Sequence, residues 1–280
     1  RQCQEKNIPL VIVNARLSHK TRNVNDWVKQ LYSMALQKVS QVLCRTQADA
    51  DAFIELGAAA NKVKVIGNLK FAAQGDATHQ PPSHFTDRPY VLAASTHSDE
   101  EYQLAKMWPS ASAQNHLLVI APRHPKRRDD ILRQLQPLAM QIAVRSHGDV
   151  ITEATQIYLA DTLGELLSFM TRADVVIMGG SLVQRGGQNL LEPARLARAI
   201  IVGPHMFNFA AETALFLQHR ACLQAQDIEE MAQMLSSCLS DSAMRTELGR
   251  QAQQLMQTQG DMAERYLSAI GENYHDLLSL

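Results

Sequence analysis

No apolar run in this sequence approaches the roughly 18 residues that a membrane-spanning helix requires. Cysteine is scarce as well. Cys3, Cys44, Cys222 and Cys238 contain no C-x-x-C pair, which argues against a disulfide framework and fits buried thiols in a reducing compartment. Neither sign of charge is in excess: 27 Lys+Arg against 28 Asp+Glu leaves a formal net charge of −1, so a general nucleic-acid binder is not indicated, although local basic clusters remain. Several chemical signatures are also missing. There is no G-x-G-x-x-G and no G-x-x-x-x-G-K-[ST], so nicotinamide and P-loop chemistry are unsupported. There is no G-x-S-x-G elbow for acyl transfer, and the ten histidines show no H-x-x-x-H spacing for zinc.

What is present is an ordinary globular composition, 46% hydrophobic and 20% charged, over a length of 280 residues that suggests about two domains. The first residue is Arg1 rather than Met, and a strand follows almost at once. The expectation is therefore a fragment whose natural N-terminal part is missing.

Short apolar, β-branched runs at 8–14, 41–45 and 63–67 read as buried parallel strands. Between the first two, Asn23 or Asn25 opens a helix to about Lys38. Its stripe of Trp27, Leu31, Met34 and Lys38 reads as core packing in preference to membrane contact. Thr46-x-x-Asp49 is a capping box for a helix that Gly57 closes. Asp49 and Asp51 thus read as helix-start acids and not as a metal site. Residues 76–88 form a linker between a domain at 1–75 and a domain at 89–280.

In the second domain strands are expected at 90–94, 117–121, 141–145, 156–159, 175–178 and 199–202. Helices are expected between them, the first capped by Ser95 or Thr96. The alternation implies a parallel sheet covered on both faces, an α/β fold. Asp227-x-x-Glu230 caps a helix in a tail that is helical to the end.

Ligands of such sheets bind beyond the carboxyl ends of the strands. The polar loops there are residues 16–22, 95–100, 122–128 and 179–192, with a turn at 161–165. In 179–192 a strand breaks into Gly179-Gly180-Ser181, crosses Gly186-Gly187 and enters a helix at Asn189-Leu190-Leu191-Glu192. This is either a phosphate-holding loop or an ordinary strand-to-helix connection. Glu192 lies three residues after Asn189 and is either a ligand for a sugar hydroxyl or part of a helix cap. Residues 122–128 (PRHPKRR) put cations at a helix start, the unfavourable end of the dipole unless an anion lies there. Arg123, between two prolines, is the better ligand candidate, whereas 126–128 read as a solvated turn offset by Asp129 and Asp130. His124 and His205 read as satisfied polar groups as readily as functional ones.

Taken together, residues 14–18 (NARLS), 67–71 (GNLKF), 94–97 (ASTH), 122–125 (PRHP), 161–166 (DTLGEL), 179–192 (GGSLVQRGGQNLLE) and 203–209 (GPHMFNF) resemble, in order and spacing, the 3-deoxy-D-manno-octulosonic acid (Kdo) transferases of lipopolysaccharide synthesis. The resemblance implies the GT-B glycosyltransferase architecture, two Rossmann-like parallel-sheet domains, the first incomplete here. It implies inverting, metal-independent transfer of Kdo from CMP-Kdo to the lipid A precursor at the cytoplasmic face of the bacterial inner membrane. No cofactor and no nucleic-acid partner is implied. By position, Pro122 and Arg123 would meet the CMP part, and Leu163, Gly164 and Glu165 would form a second donor contact. Asn189, Leu190, Leu191 and Glu192 would hold phosphate and ribose, with Gly180 and Ser181 also binding the CMP-sugar donor. Arg16 and Lys70 would face the acceptor. The family's general-base glutamate and membrane anchor would lie upstream of this chain, so residues 1–280 alone are expected to bind the donor weakly and transfer little. His19-Lys20-Thr21 departs from a more usual Glu-Arg-Ser, and Gln188 stands where His is common. Two other readings remain: a UDP-sugar transferase or epimerase of the same architecture, and a non-catalytic sugar-nucleotide-binding protein.

Overall fold

A computed structural model describes residues 2–6, 8–17, 21, 24–72, 85–111 and 115–272. The chain forms two compact units, one of Arg1–Gln74 with Thr258–Leu280, the other of Gly75–Gln257. Most of the expected linker, residues 76–84, and the basic positions 18–20 and 22–23 lie outside the described residues.

In the first unit a helical turn, α1 (Gln2–Glu5), precedes β1 (Val11–Ala15), α2 (Asp26–Leu36), β2 (Gln41–Cys44), α3 (Gln47–Glu55) and β3 (Val63–Val65). The strands pair in parallel in the order β1-β2-β3. All four residues of β2 are buried, as expected for a central strand covered on both faces. On one face Val42 and Cys44 pack with Ala50, Phe53 and Leu36. The N-terminus of α3 is the expected capping box: Thr46 Oγ1 accepts from the Asp49 N–H at 3.1 Å. The Asp49 carboxylate accepts from Thr46 and from Arg45, so it is occupied in the cap.

The helix α2 departs from expectation. Trp27, Leu31 and Met34 are 65%, 55% and 60% exposed. The positions that turn inward are Val28, Ser33 and Leu36, so the core-facing stripe is displaced from the one read in the sequence. Strand β1 is an outer strand among the described residues; Ile8 and Leu10 before it and Val13 within it are exposed.

The second unit runs β4 (Tyr90–Thr96), α4 (Glu100–Ala111), β5 (Leu117–Pro122), α5 (Arg128–Leu135), β6 (Ile142–Val144), β7 (Ile157–Leu159), α6 (Leu166–Met170), β8 (Val175–Met178), α7 (Leu191–Arg195), β9 (Ala199–Val202), α8 (Ala210–Gln218), β10 (Leu223–Gln224), α9 (Ile228–Ser240) and α10 (Ser242–Thr258). Its seven strands are all parallel, in the order β10-β9-β8-β4-β5-β7-β6. β5, β8 and β9 are buried throughout, which is why they read as unbroken apolar runs. Two details differ from expectation. Thr96 belongs to β4 and Ser95 has φ +57°, so neither caps α4. And α7 spans only five residues, against the 190–197 that its sequence suggests.

The tail is divided between the units. α9 begins with its expected cap, Asp227 accepting from the Glu230 N–H at 2.8 Å. The last helix among the described residues, α11 (Met262–Gly271), instead covers the free face of the first sheet, packing Met262, Tyr266 and Ala269 on Leu43. Gln41 Nε2 donates to the Ala269 carbonyl at 3.0 Å and Tyr266 donates to the Gly67 carbonyl at 2.8 Å. The expected domain at 89–280 therefore loses its final helix to the first unit. The apolar face of β2 needs a second layer, and α11 supplies it. Among the described residues no helix is long and apolar enough to cross a membrane.

Candidate functional site

The strand order of the second sheet fixes where a ligand site lies. From β4 the chain moves outward to β5, on to β6 at the edge and back to β7 between them, then crosses to β8 and builds the other way through β9 to β10. The reversal point is between β4 and β8, and the crevice beyond their carboxyl ends is the binding position of open α/β sheets. His97 follows β4 there, and Gly179-Gly180 follow β8. Gly179 donates to the Ala94 carbonyl at 2.8 Å and passes so close to the Ser95 backbone that a Cβ would collide with it.

The amides of the glycine loop point inward. Gly180, Ser181 and Leu182 donate their N–H groups to the Glu100 carboxylate at 2.6, 3.0 and 2.9 Å. Glu100 also accepts from the His97 N–H at 2.8 Å. Burial pushes the Glu100 carboxyl above its usual range, and the N–H groups act in the opposite direction. The Ser181 side chain is 0% exposed, donating to the Met178 carbonyl and accepting from the Gly203 N–H. A phosphate read onto Gly180 and Ser181 meets no free group there, because an internal carboxylate already occupies those donors. Beyond it the loop folds back: Gly187 donates to the Gly180 carbonyl at 2.8 Å. Gln188 Nε2 then lies 3.0 Å from His97 Nε2. The His97 ring stands edge-on to His124 at 6.0 Å between centroids. Burial, then Arg185 and His124, hold the His97 imidazole below its ordinary pKa and favour the neutral ring.

At the end of β5, Arg123 donates its N–H to the Thr96 carbonyl at 2.9 Å, and its side chain is exposed. Arg127, read in the sequence as part of a solvated turn, instead makes two hydrogen bonds to the buried Glu101, at 2.9 and 3.2 Å. Arg128 pairs with Asp129 at 2.8 Å, as a solvated turn would. A cavity of about 160 Å³ at these strand ends is lined by Ser95, Pro122, Arg123, Thr162, Leu163 and Gly164 among others. Four of the residues proposed from sequence thus meet around one space. A larger cavity of about 780 Å³ lies between α4 and α9 on the helical face, with Tyr102, Lys106, Ile228 and Ala232 in its wall. The strand-end cavity is the better candidate because it lies next to the reversal point and the exposed Arg123.

The remaining sequence candidates divide. Glu165 is half-buried, and its carboxylate is held by Arg145 at 2.9 and 3.2 Å and by the Thr162 hydroxyl. The Arg145 guanidinium keeps it below the usual carboxylate range. Asp161 accepts from the Ser146 N–H at 2.9 Å, so both ends of the 161–165 turn are clamped by the segment after β6. Leu163 projects from that turn, 82% exposed. Leu190 and Leu191 are buried at 0% and 1%, so their side chains belong to the core and not to a ligand surface. Asn189 Nδ2 donates to Glu192 at 3.1 Å, and Asn189 Oδ1 accepts from the Leu191 N–H. Both remain half-exposed at the mouth of the loop. In the first unit Asn14, at φ +51°, accepts from the Leu69 N–H at 3.1 Å, which joins the NARLS and GNLKF segments. Arg16 and Lys70 beside them are exposed. Among the described residues no group of three His, Cys, Asp or Glu is arranged to hold a metal ion. The residues that sequence reasoning missed are Glu100, Glu101 and Arg145, since nothing local distinguishes an acid or an arginine whose partner is distant in the chain.

A family model described as 3-deoxy-D-manno-octulosonic-acid transferase (kdotransferase) matches residues 1–73. The 3-deoxy-D-manno-octulosonic acid transferases of Haemophilus influenzae and Bordetella pertussis are 28% and 30% identical over 95% of this chain. The chain spans 64% of the length of each. Among solved structures, the C-terminal CMP-Kdo binding domain of WaaA from Acinetobacter baumannii is 35% identical, with a TM-score of 0.58, over 61% of this chain and 90% of that one. Anabaena HepE in complex with UDP (15% identical, TM-score 0.57, 99% of this chain and 74% of that one) shares the fold. So does the Neisseria meningitidis UDP-GlcNAc 2-epimerase (13%, TM-score 0.59, 97% and 71%). The parallel-sheet α/β units are those of the GT-B class, and the chain belongs to the Kdo transferase family.

Proposed function

We propose that this chain binds CMP-Kdo in its second unit and serves the transfer of Kdo to a lipid A precursor. The transfer is inverting and metal-independent and takes place at the cytoplasmic face of the bacterial inner membrane. The observation that carries the reading is the meeting of Pro122, Arg123, Leu163 and Gly164 around one cavity at the strand ends. The chain is also similar, over 61% of its length, to a C-terminal CMP-Kdo binding domain. In the reaction the acceptor hydroxyl oxygen forms a bond to the anomeric carbon of Kdo. The bond from that carbon to the CMP phosphate oxygen breaks, and the hydroxyl proton passes to a general base. CMP leaves carrying the electron pair, and Arg123 is the exposed cation at the cavity able to stabilise that charge. Asn189 and Glu192 stand ready for ribose hydroxyls. Arg16 and Lys70, in the first unit, are assigned to the acceptor. No residue of this chain is assigned as the general base.

Calorimetry with CMP and UDP tests the reading. CMP binds tighter than UDP to the wild type, and Arg123→Ala weakens CMP by roughly tenfold to a hundredfold, the value of one charge-assisted hydrogen bond. Tighter binding of UDP favours instead the UDP-sugar reading. Binding of neither nucleotide refutes both.

A further inference from the structure

Glu100 is the most unusual group in the second unit that the proposed reaction does not use. It opens α4, is 1% exposed, and among the described residues has no cationic partner. Its neighbour Glu101 takes the cation, Arg127, together with the Thr96 hydroxyl. Glu100 is neutralised by amides alone. Oε2 accepts from His97 and Gly180, and Oε1 from Ser181 and Leu182. These four N–H groups come from two segments about eighty positions apart. One belongs to the turn after β4 and three to the turn after β8, the two strands on either side of the reversal point.

A buried carboxylate is a poor device for stability, since apolar packing of the same volume does as well or better. Its advantage is geometric. Two oxygens with four acceptor directions fix four peptide planes at once. Here those planes set the backbone of His97 and the start of the loop that carries Gln188, Asn189 and Glu192. We propose that Glu100 is a positioning residue for nucleotide-sugar binding, an internal anion that holds the β8 loop and His97 in the form the donor requires. The inference rests on the donor reading given above and deepens it. It also explains why the glycine loop can keep its shape without a bound phosphate: the protein carries its own anion in that nest.

Glu100→Gln, Glu100→Asp and Glu100→Ala test it in the whole chain, with CMP affinity by calorimetry and thermal stability measured together. Gln keeps the size but turns an NH2 group toward two N–H donors. Asp draws the carboxylate back by one methylene. Ala empties the nest. CMP affinity falls about tenfold or more in Glu100→Gln, with a smaller loss in Glu100→Asp. Millimolar formate restores binding to Glu100→Ala and leaves the wild type and Glu100→Gln unchanged, an outcome that a merely structural role does not produce. Wild-type affinity in folded Glu100→Gln overturns the proposal alone. So does an unrescued Glu100→Ala whose affinity falls only in step with its folded fraction. Failure of the wild type to bind CMP overturns the donor reading and this inference together.

Discussion

Arg127→Ala is the substitution whose cost the structure defines best. The Glu101 side chain is 0% exposed and the Arg127 side chain 18%. Two hydrogen bonds join them, and among the described residues the only other partner of the carboxylate is the Thr96 hydroxyl at 2.9 Å. Removing the guanidinium leaves a buried charge with one neutral donor. Breaking a buried pair from one side costs about 3–5 kcal/mol, and the partial exposure of Arg127 points to the lower end, about 3 kcal/mol. Replacing both partners, as Glu101→Leu with Arg127→Met, removes the charge and its partner together and returns most of the loss. Urea unfolding followed by the fluorescence of Trp108 is the assay. Trp108 lies on the same helix as Glu101 and is 2% exposed. The only other tryptophan, Trp27, sits in the first unit and can be replaced by Phe so that the signal reports the second unit alone. A loss below about 1 kcal/mol, the value of a surface pair, refutes the account of Arg127 as the partner of a buried charge.

Two further expectations follow from other ion pairs. Arg145→Ala frees Glu165 and loosens the 161–165 turn. CMP affinity falls about threefold to tenfold. Stability changes by no more than about 1 kcal/mol, since both side chains are 27% exposed; unchanged affinity refutes a role for the turn in binding. Asp174 is held below the usual carboxylate range by a hydrogen bond with His116 at 3.1 Å, with burial opposing. A depressed folded-state pKa means stability that is fully present above the unfolded value and is lost as pH falls through the folded one. The wild type therefore loses thermal stability below about pH 4 more steeply than Asp174→Asn, and parallel acid profiles refute the assignment.

The parts of the fold that were legible are those written in local pattern. β8 and β9 occupy the residues their apolar runs mark, because a parallel strand buried on both faces has no polar alternation to blur its ends. The caps at Thr46 and Asp227 were legible because donor and acceptor lie three residues apart. Ser95 and Thr96 misled for the same reason. Both are cap-forming residue types, but β4 keeps pairing with β5 through Thr96, and tertiary pairing overrode the local preference. The site was legible as a set of loops and not as a network. Pro122, Arg123, Leu163 and Gly164 meet as the order of strands requires. The inward turn of the Gly180–Ser181 amides depends on an acid about eighty residues upstream, and no spacing rule reports that. The α2 stripe failed on phase: its periodicity was real, but periodicity does not say which side of a helix meets the sheet.

The return of α11 to the first sheet has a consequence for the order in which this protein is made. The second unit is one continuous segment, so everything it buries has left the ribosome once residue 257 has emerged. The first unit is not continuous. Gln41 meets its partner Ala269 across 228 positions, and the cluster around Leu43 is completed only when Met262, Tyr266 and Ala269 arrive. Contacts of such separation carry a large loop-closure entropy and form late. During synthesis strands β1 to β3 therefore wait without this helix while the second unit completes itself. That interval is when the nascent chain is most exposed to aggregation. Chains released after residue 257 are expected to contain a finished second unit and an unfinished first one.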